Sequence, residues 1–313
     1  MNPSIEIVIL SRDRLPFLIS TIDSVLSQKG SVENITIVVS DNSLTNDVEK
    51  YIEANNLYLK LSYRKRVLDL SSTDHFKIVV SESISDYIVL FHDDDLMHKN
   101  YIKTMLSFIS LNKEVVLIGG NGIQFVDGTC SDRGQRISLI DKVLFFDTKK
   151  DFLSQYLVGS KGVIPFPGYI YKTTVLKELD VDNLPGGKYK DVAILSEMLD
   201  FGKVACLPDI LMSYRIHSNN DSRYENIVDR ISLLNYISRQ GVEKNSLQIA
   251  LFRARFWSKW VLQQKKFRVF GWREFIVCKF IVNVLLRSMI SRVFWVATYN
   301  KLTRFYKIRR VLE

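Results

Sequence analysis

Short apolar runs rich in β-branched residues recur through the first 120 residues, each followed by a stretch with apolar positions three or four apart. Residues 5–10 (Ile-Glu-Ile-Val-Ile-Leu) predict a buried strand. Leu15, Leu18, Ile19, Ile22, Val25 and Leu26 then fall at helical spacing, with Gly30 as a stop signal. The same reading gives strands at 35–39, 59–63, 87–91 and 115–118, with helices at 47–54, 75–83 and 101–111 between them. Such alternation implies βαβ crossovers and a mainly parallel central sheet flanked by helices. Ligands of such sheets sit beyond the carboxyl ends of the strands, so the polar residues there carry the chemistry.

Three strand ends stand out. They are Ser11-Arg12-Asp13-Arg14, Ser40-Asp41-Asn42-Ser43 and His92-Asp93-Asp94-Asp95. No G-x-G-x-x-G follows the first strand and no G-x-x-x-x-G-K-[ST] occurs, which argues against a dinucleotide-binding enzyme and a P-loop NTPase. Three consecutive carboxylates repel one another unless a cation joins them. Mn²⁺ or Mg²⁺ is the natural partner, because both take oxygen ligands and bridge to phosphates. In an extended segment Asp93 and Asp95 share one side and Asp94 turns away. His75 and His92 are read as packing or supporting residues, and Arg64, Lys65 and Arg66 as a solvated charge run.

Composition narrows the class. The chain has 313 residues, 47% apolar and 25% charged, which excludes disordered and low-complexity readings. Cys130, Cys206 and Cys278 lie far apart with no C-x-x-C spacing, as expected in a reducing compartment, and the N-terminus shows no secretory pattern. The net charge of +9 is concentrated: residues 225–313 hold 18 Lys and Arg against 5 Asp and Glu. This predicts a mildly acidic body, set at 1–222, and a basic, aromatic-rich helical C-terminal region over 223–313. Ile249, Phe256, Trp257, Trp260 and Val261 gather on one face of a helix there, opposite Arg255, Lys259 and Lys266. The apolar stretch 275–286 is interrupted by Lys279 and Asn283, so no membrane span is expected. Basic amphipathic helices suit an anionic membrane surface.

Taken in order, these motifs resemble the family 2 inverting glycosyltransferases of GT-A fold, over about residues 4–220. The similar segments are 7–14, with Leu10 where the family has proline; 37–43; 87–95; Gly186-Gly187-Lys188-Tyr189-Lys190-Asp191, with Lys190 where the family has Glu; and Leu211–His217, similar to its Y-R-x-H segment. The resemblance implies donor contacts from Ser11, Arg12, Asp41, Asp93 and Asp94, with Asp41 at the nucleotide base. It implies a metal on Asp93, Asp95 and His217, and Asp191 as catalytic base. Val192, Leu195, Met198 and Leu199 predict a helix starting at Asp191, whose dipole would favour the ionised carboxylate.

The implied reaction passes one sugar from a nucleotide sugar, UDP-linked first, to a lipid-linked glycan in bacterial O-antigen or capsule synthesis. It would take place at the cytoplasmic face of the cell membrane. A nucleotidyltransferase would show a Gly-rich phosphate loop after the first strand, which is missing. No helix-turn-helix, zinc-finger or RRM signature supports a nucleic-acid partner. Oligomeric state is not encoded in any of these patterns.

Overall fold

The computed structural model describes residues 3–28, 34–67, 69–126, 134–158, 163–217, 226–243, 246, 248–249 and 252–253. The expected amphipathic face over 247–266 lies almost wholly outside the described residues, as does the stretch 275–286.

β1 (Ile5–Ser11), β2 (Ile35–Asp41), β3 (Ser62–Lys65) and β4 (Tyr87–His92) run parallel in the order β3-β2-β1-β4. β9 (Tyr169–Lys172) then enters antiparallel between β4 and β6 (Val115–Val126), and β10 (Lys203–Ile216) runs parallel to β6. Three short antiparallel strands finish the sheet: β5 (Leu96–Met97) and β8 (Leu144–Phe146) on β10, and β7 (Gln135–Arg136) on β6. The sheet is thus mainly parallel, as the alternation predicts.

Strand alternation divides the core into two faces. Ile5, Ile7 and Ile9 of β1 point to one side, where α1 (Leu15–Leu26), α2 (Asp47–Ala54) and α4 (Tyr101–Leu111) cover them. Val8 and its neighbours point to the other, under α3 (Ser72–Glu82), α5 (Lys149–Leu157), α6 (Thr173–Lys177), α7 (Lys190–Glu197) and α8 (Ile227–Arg239). Each fully buried Ile, Leu or Val contributes about 1.5–3 kcal/mol to this three-layer packing. Side-chain caps fix several helix starts: Ser71 accepts from the Asp74 N–H, Thr148 from that of Asp151, and Asn226 from that of Asp229.

One difference from the sequence reading has a clear cause. The strand expected at 115–118 runs to Val126, because Gly119 lets the chain pass the Tyr169 ring, which a Cβ there would meet at 2.6 Å. Cys206 sits in this same buried centre, its Sγ 3.5 Å from Tyr169 Oη. α8, which begins after residue 222, places Leu233, Leu234, Tyr236 and Ile237 in the same core cluster. No helix among the described residues is long and apolar enough to cross a membrane.

Candidate active site

The ends of β1, β2 and β4 lie level: Ser11 pairs with Asp41, and Leu10 with His92. After His92 the chain turns through Asp93 and Asp94 before β5, so the triplet is not extended. The turn distributes the three carboxylates over three sets of partners, all of them buried.

Asp93 accepts the Arg12 N–H at Oδ2 (2.9 Å) and lies 3.4 Å from the Arg14 guanidinium. Burial outweighs these partners and pushes its carboxyl up to about 7. Asp94 pairs with the Arg14 guanidinium and with His217, whose Nε2 lies 2.9 Å from Oδ2. Burial would raise the Asp94 carboxyl, but the neighbouring His92, the His217 hydrogen bond and Arg14 together hold it below the usual range. Asp95 accepts the Arg215 N–H at Oδ1 (3.0 Å), and burial beside two other carboxylates pushes it well above the usual range.

The neighbouring elements hold this turn in place. Thr21 Oγ1 donates to the carbonyls of Asp93 and Asp95, at 3.0 and 2.8 Å. Arg215 Nε donates to the Asp94 carbonyl (2.9 Å) and its terminal nitrogen to Ser20 Oγ (3.0 Å), while the rings of Phe17 and Phe125 flank the guanidinium. Phe17 also packs on the His217 ring, with centroids 4.6 Å apart.

His92, Asp94 and Asp95 each offer one ligand atom, all within 4.8 Å of one another. Asp95 Oδ2 is buried with no hydrogen-bond partner, the state expected of an oxygen reserved for a cation. Two carboxylates and an imidazole fit Mn²⁺, and with less preference Mg²⁺. Of the expected set, Asp95 joins this cluster, His217 supports it through Asp94, and Asp93 is engaged by Arg12 and Arg14. The sequence reading took His92 as a packing or supporting residue, since its place in the cluster depends on the turn. It also passed over Arg14 and Arg215, which hold the cluster together.

Asp41 is fully buried. Its carboxylate accepts the Ser43 N–H (2.9 Å), the Tyr63 hydroxyl (2.8 Å) and the Lys65 ammonium (3.1 Å). The basic run 64–66 is therefore no solvated face. Lys65 serves Asp41, and Arg64 and Arg66 both pair with Glu82, because β3 turns these side chains toward α3 and the end of β2. Arg12 reaches Asp69 (2.7 Å) and the Leu70 carbonyl (3.1 Å), and Asn42 bonds both backbone groups of Leu70. His75, as expected, is a packed residue. It bonds Ser40 Oγ at 2.6 Å, and burial lowers its ring to about 4.

Asp191 lies in the first turn of α7, where Oδ1 accepts its neighbour's N–H from Val192 (2.9 Å). Burial dominates over the helix start and pushes this carboxyl up to about 6, opposite in direction to the expected dipole effect. Lys190, at the position where the family has Glu, turns to the Val181 carbonyl (3.0 Å). α7 packs on the Phe166–Gly168 turn, and the Phe166 ring stacks over His92 with centroids 6.1 Å apart. The Phe166–Gly168 turn thus touches α7 on one side and, through the Phe166 ring, His92 of the acidic cluster on the other.

The description "Glycosyl transferase family 2" matches residues 6–174, and the chain belongs to that family. Abequosyltransferase RfbV of Salmonella typhimurium is 25% identical over 115 residues, 36% of this chain and 34% of that protein, so the chain matches about a third of its length. Among solved structures, TarS 1-349 of S. aureus in complex with UDP-GlcNAc aligns at TM-score 0.61 and 13% identity, covering 90% of this chain and 79% of that one. The mannosyltransferase PcManGT of Pyrobaculum calidifontis, in complex with GDP-Man and Mn²⁺, aligns at TM-score 0.53 and 10% identity, covering 100% and 83%. At these identities the two structures establish the fold alone.

Proposed function

We propose that this chain transfers one sugar from a nucleoside diphosphate sugar to a hydroxyl of a lipid-linked glycan, with inversion, in bacterial surface polysaccharide synthesis. The observation that carries this reading is the grouping of His92, Asp94 and Asp95 around Asp95 Oδ2, which is buried and accepts no hydrogen bond. UDP-GlcNAc and GDP-Man in the neighbouring structures, and the abequosyl group in the relative's name, support a nucleotide-sugar donor. UDP is the first nucleotide to test.

His92, Asp94 and Asp95 would hold Mn²⁺ or Mg²⁺, which when bound stabilises the charge of the departing diphosphate. Arg14 and His217 keep Asp94 ionised, and Arg215 fixes the turn, so these residues prepare the cluster before donor arrives. Ser11, Arg12 and Asp41 line the level strand ends where the nucleotide lies, and Asp93 anchors Arg12 and Arg14 there.

Asp191 accepts the proton of the attacking hydroxyl. The acceptor oxygen bonds to the anomeric carbon as the bond from that carbon to the diphosphate oxygen breaks, so its configuration inverts. A carboxyl pushed up to about 6 is matched to this task near neutral pH, ionised often enough to act and basic enough to hold the proton. The basic C-terminal region would keep the chain at an anionic membrane face, beside a lipid-linked acceptor.

The test is transfer or donor hydrolysis by the full chain, with a panel of nucleotide sugars and Mn²⁺. Activity lost in Asp94→Asn and Asp191→Asn is expected. A folded protein that neither binds nor turns over any nucleotide sugar would refute the assignment.

A further inference from the structure

α8 grips the helix of Asp191 at both ends. At its start, Asp229 accepts the Lys188 N–H (3.2 Å) and Ser232 Oγ accepts the Gly186 N–H (3.2 Å). There too the Arg230 guanidinium lies 3.8 Å from the centroid of the Tyr189 ring. At its end, Tyr236 Oη donates to Glu197 (2.6 Å) and shares a hydrogen bond with Ser196 Oγ (2.6 Å). The intervening turn is shaped for this contact: Gly187 has φ of +52°, and a Cβ there would fall 2.2 Å from the Asp229 carboxylate. Arg230 is itself buried, with Phe252 as a second ring at 4.9 Å and the Tyr156 hydroxyl at 3.3 Å.

The groups that bear on Asp191 come from three elements. They are Tyr156 of α5, Tyr171 of β9 and Arg230 of α8. Two are phenols and one is a guanidinium. We propose that Arg230 is a positioning residue for Asp191, reaching from α8 to orient its helix and to set a positive charge against its carboxylate. This rests on the reading of Asp191 as the proton acceptor, and it makes the first helix of the C-terminal region part of the reaction centre. Its charge opposes the burial that drives the carboxyl upward.

The experiment uses the full chain labelled at aspartate carboxyl carbons, with the Asp191 signal identified by its loss in Asp191→Asn. NMR titration without ligands then compares wild type, Arg230→Lys and Arg230→Met. Arg230→Met is expected to move the Asp191 midpoint up by about one unit, as loss of a nearby opposite charge does, and Arg230→Lys to restore it. An unmoved midpoint in folded Arg230→Met overturns the proposal. Should that variant fail to fold, Arg230→Gln is judged by the same criterion.

The pH profile of transfer separates this from failure of the underlying reading. The acidic limb of kcat should follow the NMR midpoint in Arg230→Met and return in Arg230→Lys. A midpoint that moves without the limb would remove Asp191 as base, and with it Arg230's role in the reaction, while leaving the link between the two side chains standing.

Discussion

His217 Nε2 lies 2.9 Å from Asp94 Oδ2, so the chain just past β10 and the turn after β4 meet at one carboxylate although 123 residues separate them. Arg14 approaches the same oxygen from the segment between β1 and α1. The site is therefore assembled from three distant segments, and each partner can be tested separately.

Divalent cation should stabilise the protein through this cluster. With Mn²⁺ and a nucleoside diphosphate at about 100 times their dissociation constants, the native state gains about 2.7 kcal/mol, visible as a rise in Tm. Asp94→Asn is expected to abolish the rise and His92→Ala to reduce it. An undiminished rise in both variants would place the cation elsewhere.

Cation binding should strengthen as pH rises. Asp95, a member of the cluster, holds its proton higher than usual, and Asp93 beside it stays protonated up to about 7, so at lower pH the cation must displace the Asp95 proton and meets less negative charge nearby. Calorimetric titration with Mn²⁺ at about pH 6 and pH 8 should give clearly tighter binding at the higher value. Equal affinities would mean that neither carboxyl titrates with the site.

Asp191→Asn should separate catalysis from stability. Loss of a general base lowers kcat by about 10²–10⁴-fold. Stability should move the other way. A carboxyl shifted from 3.8 to about 6 costs nothing below its ordinary range, where both states are protonated, and imposes its full cost above 6, where the half-buried group must ionise. Relief of about 1–2 kcal/mol is thus expected at pH 8 and none near pH 4, read by thermal melts at each pH.

Arg215→Met should destabilise by about 2–4 kcal/mol, since the Asp94 carbonyl and Ser20 lose their donors beneath Phe17 and Phe125. The backbone bond to Asp95 survives this change, so Asp95 should still join the cation cluster. Urea unfolding with and without Mn²⁺ checks both points.

Gly187→Ala should cost about 1–3 kcal/mol, because the residue sits at φ of +52° and its new Cβ would strike Asp229. Adding Asp229→Ala is expected to recover only the steric part. Full recovery in the double variant would mean the backbone conformation carries no strain.

The body of the fold was legible wherever a helix carried a full apolar stripe. α2 and α4 have the expected bounds, Asp47–Ala54 and Tyr101–Leu111, since Val48 with Ile52 and Ile102 with Met105 and Ile109 mark one face each. β9 was not legible: four residues between prolines and a helix, it enters the sheet antiparallel between β4 and β6, strands distant from it in sequence that no local pattern links to it. The carboxylates of the site could be read as a set. Their roles could not, because a two-residue turn decides which of Asp93, Asp94 and Asp95 meets His92. The clamp of α8 on α7 depends on tertiary docking that charge and periodicity do not record.

Cys206 has a practical consequence. Its thiol is buried against Tyr169 at the junction of β6, β9 and β10, and burial pushes it up to about 11. Alkylating reagents need the thiolate and a path to it, so they reach this sulfur only when the middle of the sheet separates. The rate of Cys206 modification in native buffer therefore reports cooperative opening of the whole scaffold, and bound donor should slow it even though no ligand touches the sulfur.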